Sequence, residues 1–174
     1  MILGMQINHV MALLLGGLAC VCDLRTRRIP NVLTFGGAAV ALGYALASRG
    51  FDGLLTSLEG WGVGLALFLP MFLLGGMGAG DEKLLACLGA WVGPLEAFWV
   101  AIYAMVAGGV MGVIVALASG YARQAVANVW MLLSYWRVMG VRPLPELTLA
   151  TARGPRLPYA IPIAAGAIAM ILMK

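Results

Sequence analysis

Residues 84–119 read LLACLGAWVGPLEAFWVAIYAMVAGGVMGVIVALAS, with Glu96 as the only charged side chain. A membrane-crossing helix needs about 17–25 apolar residues. The stretch is therefore one overlong span or two short ones, and the whole topology turns on which. Gly93-Pro94 breaks it near its first third, because proline cannot continue a helix from the N-terminal side and glycine permits a reversal. Charge placement then decides. Two spans here leave Arg123, Arg137, Arg142, Arg153 and Arg156 on the same side as Arg25, Arg27 and Arg28. One span would put those five on the opposite side, against the tendency of Lys and Arg to stay cytoplasmic.

Outward from this stretch, the composition agrees with a membrane chain. Of 174 residues, 63% are hydrophobic and 10% charged, and mean hydropathy is +0.98. A soluble domain carries about 25% charged residues. The strand alternation of a membrane barrel is missing, so helices are the expected spanning elements. The reading is all-α and polytopic, with six transmembrane helices at about 5–22, 31–48, 58–77, 82–94, 96–119 and 157–173. The second opens at Pro30-Asn31, and Pro158 and Pro162 can bend or break the first turns of the last. Lys83 also falls inside, so of eleven basic residues only Arg49 and Lys174 lie outside, as do both termini.

Residues 120–156 form the long connection. Trp130, Tyr135, Trp136, Arg123 and Arg137 among aliphatics predict an amphipathic helix lying in the headgroup region at about 121–139. The Pro143/Pro145 stretch after it reads as loop. No internal repeat interrupts residues 1–174, which are read as one integral-membrane domain. The net charge of +4 marks a cytoplasmic face rather than a nucleic-acid partner. Cys20, Cys22 and Cys87 lie in apolar surroundings and are expected to be small buried residues, not a disulfide or a metal set. The apolar run after His9 ends in Asp23 and arginines, which does not suit a cleaved leader.

Against this background, GGMGAGDEKLLA at 75–86 is unusual. Asp23 closes the first span and Asp81 opens the fourth, both at the cytoplasmic boundary. Acids at membrane depth are costly and point to function. Each also has a bland explanation. Asp81 could be a helix N-cap. Asp23, which the helix dipole disfavours at a C-terminal end, could be salt-bridged to a following arginine. Two carboxyls at one site form a different device: repulsion leaves them one shared proton. The ionised partner takes a proton from water, and the protonated partner polarises a peptide carbonyl. This chemistry needs no metal and no cofactor. His9, the only histidine, is far from any Ser or Cys arrangement, so a His-based triad has no support. Gly75, Gly76, Gly78 and Gly80 allow either a loop that an extended peptide can approach or close helix packing.

With both acids placed, the chain resembles the type IV prepilin peptidases, within the membrane aspartyl proteases that share Gly-x-Gly-Asp. GAGDEK (78–83) is similar to the family's Gly-x-Gly-Asp-x-Lys, and DLRTRRIPN (23–31) to its first-aspartate segment. LPYA (157–160) is similar to its Pro-Tyr/Phe-Gly stretch, with Ala160 in place of Gly. The resemblance implies a catalytic pair, Asp23 and Asp81, with Gly78, Gly80, Lys83, Arg28, Pro30 and Asn31 in support. Lys83 is then either an orienting cation or an interfacial anchor. It further implies a bacterial inner-membrane enzyme, its site at the cytoplasmic face, that cuts the basic leader from prepilins or pseudopilins. Long members carry a Cys-x-x-Cys insertion and methylate the new N-terminus. No Cys-x-x-Cys is present here, so protease activity alone is expected, as in the short enzymes of Flp-type (tight adherence) pili. A proton-coupled carrier or a non-catalytic assembly factor would use the same acids differently. A carrier, however, tends to place them at mid-membrane in inverted repeats.

Overall fold

The computed structural model describes residues 6–144, 147–148 and 157–173. Among these residues every regular element is helical: α1 (Ile7–Thr26), α2 (Asn31–Leu73), α3 (Ala79–Val92), α4 (Pro94–Ala118), α5 (Ala122–Met139) and α6 (Ala160–Leu172). The expectations placed on residues 1–5, Pro145, Arg153, Arg156 and Lys174 lie outside the described residues.

The 43 residues of α2 hold two expected spans. Gly50 interrupts the helix at φ 66° and ψ −152°, a conformation that costs glycine little. Contacts with α3 show that the chain reverses here. In the first arm, Lys83 meets Asn31 and Trp91 meets Gly37, so this arm runs parallel to α3. In the second arm, Ser57 meets Ala90, Gly60 lies on Gly89 and Gly64 on Leu85, so this arm runs antiparallel. The corner is tight, since a Cβ on Gly53 would collide with the Ala45 carbonyl oxygen. The sequence reading put a connection at about 49–57, where the structure has a break at Gly50 with helix on both sides.

Gly93, at φ 94°, and Pro94 at the first position of α4 make the expected break between α3 and α4. α4 then runs antiparallel to α6, with Val100 and Ala104 against Gly166 and Gly108 against Tyr159. α1 is also antiparallel to α6, with Gly16 against Ala164 and Cys20 against Ala160. The described residues thus pass six times between two ends of one bundle. Among the described residues three helices, α1, α2 and α4, are long and apolar enough to cross a membrane. α3 and α6 have 14 and 13 residues. At 1.5 Å per residue each spans about 20 Å, short of the ~30 Å hydrocarbon core.

The interior is built from small side chains. Ala12, Ala19, Ala38, Ala41, Ala97, Ala101, Ala104 and Ala160 are buried, whereas Val32, Leu95, Leu117 and Leu172 are exposed. Water gives no reason for such an inversion. Lipid does, because apolar side chains lose nothing facing acyl chains while small residues let helix backbones approach. α5 buries no residue, and its Trp130 is 74% exposed, consistent with a helix lying against the bilayer surface.

Candidate active site

The C-terminal turn of α1, the N-terminus of α3 and the segment entering α6 meet at one end of the bundle. Asp23 sits in the last turn of α1, is buried to 8% exposure, and accepts the Ala160 backbone N–H at Oδ2, 3.4 Å away. Rather than closing a span at residue 22, α1 continues to Thr26 and carries Asp23 within it. Arg27 then ends the helix in the left-handed region at φ 55°, its N–H bonded to the Asp23 carbonyl. The next residues turn back through Pro30, the N-cap of α2.

Gly78 is the N-cap of α3, so Asp81 is the third helical residue and not the cap itself. Its carboxylate does accept a hydrogen bond from the Gly78 backbone, a reach-back familiar from capping boxes. Asp81 is half-buried, one residue ahead of the apolar segment of α3, and in electrostatic contact with Asp23. Burial first, and then the Asp23 charge, push its carboxyl up to about 7, against a smaller downward pull from the Gly78 hydrogen bond. Two acids separated by 58 positions are therefore brought to one site, and one of them holds its proton near neutral pH.

The glycines ahead of Asp81 divide their roles. Gly75 adopts φ 77° in the turn after α2, as the loop reading expected. Gly80 is already helical and faces Ile29, whose Cβ lies 3.2 Å from where a Gly80 Cβ would be. This glycine lets the first-aspartate segment pack onto the second. Gly78 is likewise close, since its Cβ would sit 3.1 Å from Asp81 Oδ2. A turn and a close packing contact thus fall at different glycines of the stretch.

Of the other site candidates, Lys83 and Asn31 are brought together. Lys83 Nζ donates to Asn31 Oδ1 at 3.2 Å and lies 5.2 Å above the Phe35 ring. The lysine therefore ties α3 to the start of α2, and its ammonium is directed at Asn31 and Phe35. Pro30 contributes the entry angle of α2. Arg28 is exposed, with its carbonyl accepting the Thr26 hydroxyl at 3.0 Å. The sequence reading missed the extent to which LPYA enters the site. Ala160 contacts both Asp23 and Cys20, and Tyr159 is in electrostatic contact with Asp81. The signal was present in LPYA, but nothing in the linear chain tied it to either acid. The three cysteines are free thiols; Cys87 is buried, whereas Cys20 and Cys22 are partly exposed and Cys20 is hydrogen-bonded, so the plain buried-filler reading suits Cys87 best.

A family model described as the type IV leader peptidase family matches residues 10–113, more than half the chain and including both acids. The chain belongs to the type IV leader peptidase family. That membership makes it a protease of the leader-peptidase type in a membrane setting, which suits its apolar helices. The match ends ahead of α5 and α6. No curated protein and no solved structure matches the chain.

Proposed function

We propose that this chain is an aspartyl endopeptidase of the bacterial inner membrane that removes the basic leader from prepilins or pseudopilins. The observation that carries the reading is the pairing of Asp23 and Asp81, from helices distant in sequence, at one end of the bundle. The six passes become six membrane crossings, with the thin α3 and α6 regions accommodated by tilt or local thinning. On this topology the acids face the cytoplasm, α5 lies on the cytoplasmic surface and both termini are outside.

In the reaction, the ionised carboxylate of Asp23 takes a proton from a water, and the hydroxide forms a bond to the peptide carbonyl carbon. Asp81 gives its proton to the carbonyl oxygen, so the tetrahedral intermediate is a neutral diol. Asp23 then protonates the leaving nitrogen as the C–N bond breaks, and Asp81 recovers its proton from the diol. Oxygen from water ends in the new carboxylate, and no covalent enzyme intermediate forms. Gly75 and Gly78 shape the approach for an extended peptide, while Gly80, Lys83, Asn31 and Pro30 hold the two aspartate segments against each other. We assign Arg28 to the surface around the entrance. The enzyme is the short form, similar to those that serve Flp-type pili, and no methyl transfer accompanies cleavage.

The pH dependence follows from the proton on Asp81. A carboxyl raised to about 7 stays protonated below that pH and ionises above it. Cleavage is expected to hold from mildly acid pH to neutrality and to fall as pH rises through about 7, because the acid for the carbonyl oxygen is lost. Initial rates across this range, with substrate saturating, check the sign; a rate that climbs steadily through pH 8 would contradict it.

The test of the activity itself uses the purified protein in detergent, a purified prepilin that retains its leader, and an added methyl donor. Mass spectrometry of both products should show one cut between the basic leader and the apolar helix, with an unmodified new N-terminus. An intact prepilin would overturn the proposal, and a methylated product would overturn its exclusion of methyl transfer.

A further inference from the structure

The residue after Asp81 is also an acid, and it faces another way. Successive helical residues lie roughly 100° apart around the axis, so Glu82 turns from the Asp23 side of α3 towards the two arms of α2. There it lines a cavity of about 190 Å³, together with Thr34 and Phe35 of the first arm, Trp61 of the second, and Lys83. Glu82 is only 5% exposed. Among the described residues it makes no hydrogen bond. Lys83 is its electrostatic partner, but that ammonium donates to Asn31 and lies over Phe35. Every wholly buried side-chain nitrogen or oxygen among the described residues has a partner, so the little exposure Glu82 keeps includes its carboxylate oxygens. A carboxylate withdrawn from water without a donor is costly. The first turn of α3 suits an acid, yet the helix dipole supplies no donor to these oxygens.

We propose that this cavity is the subsite for one basic side chain of the leader, with Glu82 the carboxylate that receives it and so a determinant of specificity. The inference rests on the leader-peptidase reading above and names the contact that reads the leader's charge. An extended peptide rises about 3.3 Å per residue. With the scissile bond at Asp81, a residue two or three positions away lies roughly 7–10 Å off, within reach of the neighbouring face of α3. A lysine or arginine there brings the donors that Glu82 lacks, and the Trp61 ring offers its face to the cation. Lys83, held by Asn31 and Phe35, keeps its own ammonium out of that role. A neutral side chain would leave the carboxylate unpaired, and an acidic one would oppose it, so the cavity also selects by exclusion.

The test measures kcat/KM for a purified prepilin, and for versions in which each basic leader residue in turn is changed to glutamine. The enzymes are the wild type, Glu82→Gln and Asp52→Asn. Asp52 is an exposed acid beside the Gly50 corner, at the other end of the bundle, and controls for the loss of a negative charge. With the wild type, one leader position should stand out, its glutamine version being cleaved about tenfold or more less efficiently, the scale of a hydrogen bond to a charged group. Glu82→Gln should lose a similar factor on the native leader. The two losses should not multiply when Glu82→Gln meets that altered leader, because both remove one contact. Asp52→Asn should match the wild type throughout. Wild-type efficiency of Glu82→Gln on the native leader would overturn the proposal. So would losses that multiply, which would make Glu82 a structural residue. A wild type that cleaves every version equally would sink the subsite alone, whereas one that cleaves no prepilin would sink the leader-peptidase reading and the subsite together.

Discussion

Alanine in place of Gly60 or Gly89 is expected to destabilise the bundle by about 1–3 kcal/mol, the range for forcing an extra carbon into a close-packed interior. The two glycines face each other across α2 and α3, and a Cβ on either would collide with the other's carbonyl oxygen. Backbone meets backbone, so no side chain can swing away. Gly64 repeats the contact one turn on, where its Cβ would sit 2.6 Å from the Leu85 carbonyl oxygen. Gly62, between them, has nothing within 4 Å of its Cβ position. Gly62→Ala is therefore the control, and it should unfold at the wild-type temperature or slightly above, given alanine's better helix propensity. Thermal unfolding of detergent-purified protein reads the difference. If Gly60→Ala and Gly62→Ala melt together, the α2–α3 packing described above is wrong. A functional effect should accompany the structural one, since α3 carries Asp81 on its first turn.

Much of this architecture could be read in the linear chain because lipid imposes strong rules. Apolar length, Gly93-Pro94 and the arrangement of Arg side chains located the break between α3 and α4 to within two residues. The helix expected at about 121–139 is α5, Ala122–Met139. The turn at Gly50 was less legible. A connection expected at about 49–57 contains Leu54 and Leu55, and its helical continuation depends on contact with α3, which no local pattern reveals.

The site divides in the same way. Asp23 and Asp81 stand out because charge is scarce in such a chain, and the structure puts them in electrostatic contact. The bond from Lys83 to Asn31 could be suspected only from the motif positions that both occupy. The roles of Gly80 and Gly108 were not separable by sequence. Each is one glycine among 24, and only its partner, Ile29 or Tyr159, shows what it accommodates. The same limit applies to Cys20, whose hydrogen bond crosses 140 positions of sequence.

Changing either aspartate to asparagine should produce the largest effect on function. Asparagine preserves size and much of the hydrogen bonding, so Asp23→Asn can still accept the Ala160 N–H through its amide oxygen. It cannot take a proton from water. Asp81→Asn can still accept from the Gly78 backbone but has no acidic proton to give. Removing positioned acid–base catalysis costs about 10²–10⁴-fold, equivalent to roughly 3–5 kcal/mol of barrier. The losses should not multiply in the double variant, because neither acid works without the other. Asp81→Asn replaces a carboxyl that burial and the Asp23 charge already push up to about 7, so at neutral pH or below it removes little charge and stability should be unchanged or slightly higher.

The most direct measurement co-expresses a prepilin with the wild-type protein, Asp23→Asn or Asp81→Asn, confirms equal membrane insertion, and follows the prepilin's mobility. The account predicts conversion to the shorter form by the wild type and none by either variant. Conversion by either variant would contradict it, leaving Asp81 as the reach-back partner of Gly78 and Asp23 as the anchor of Ala160.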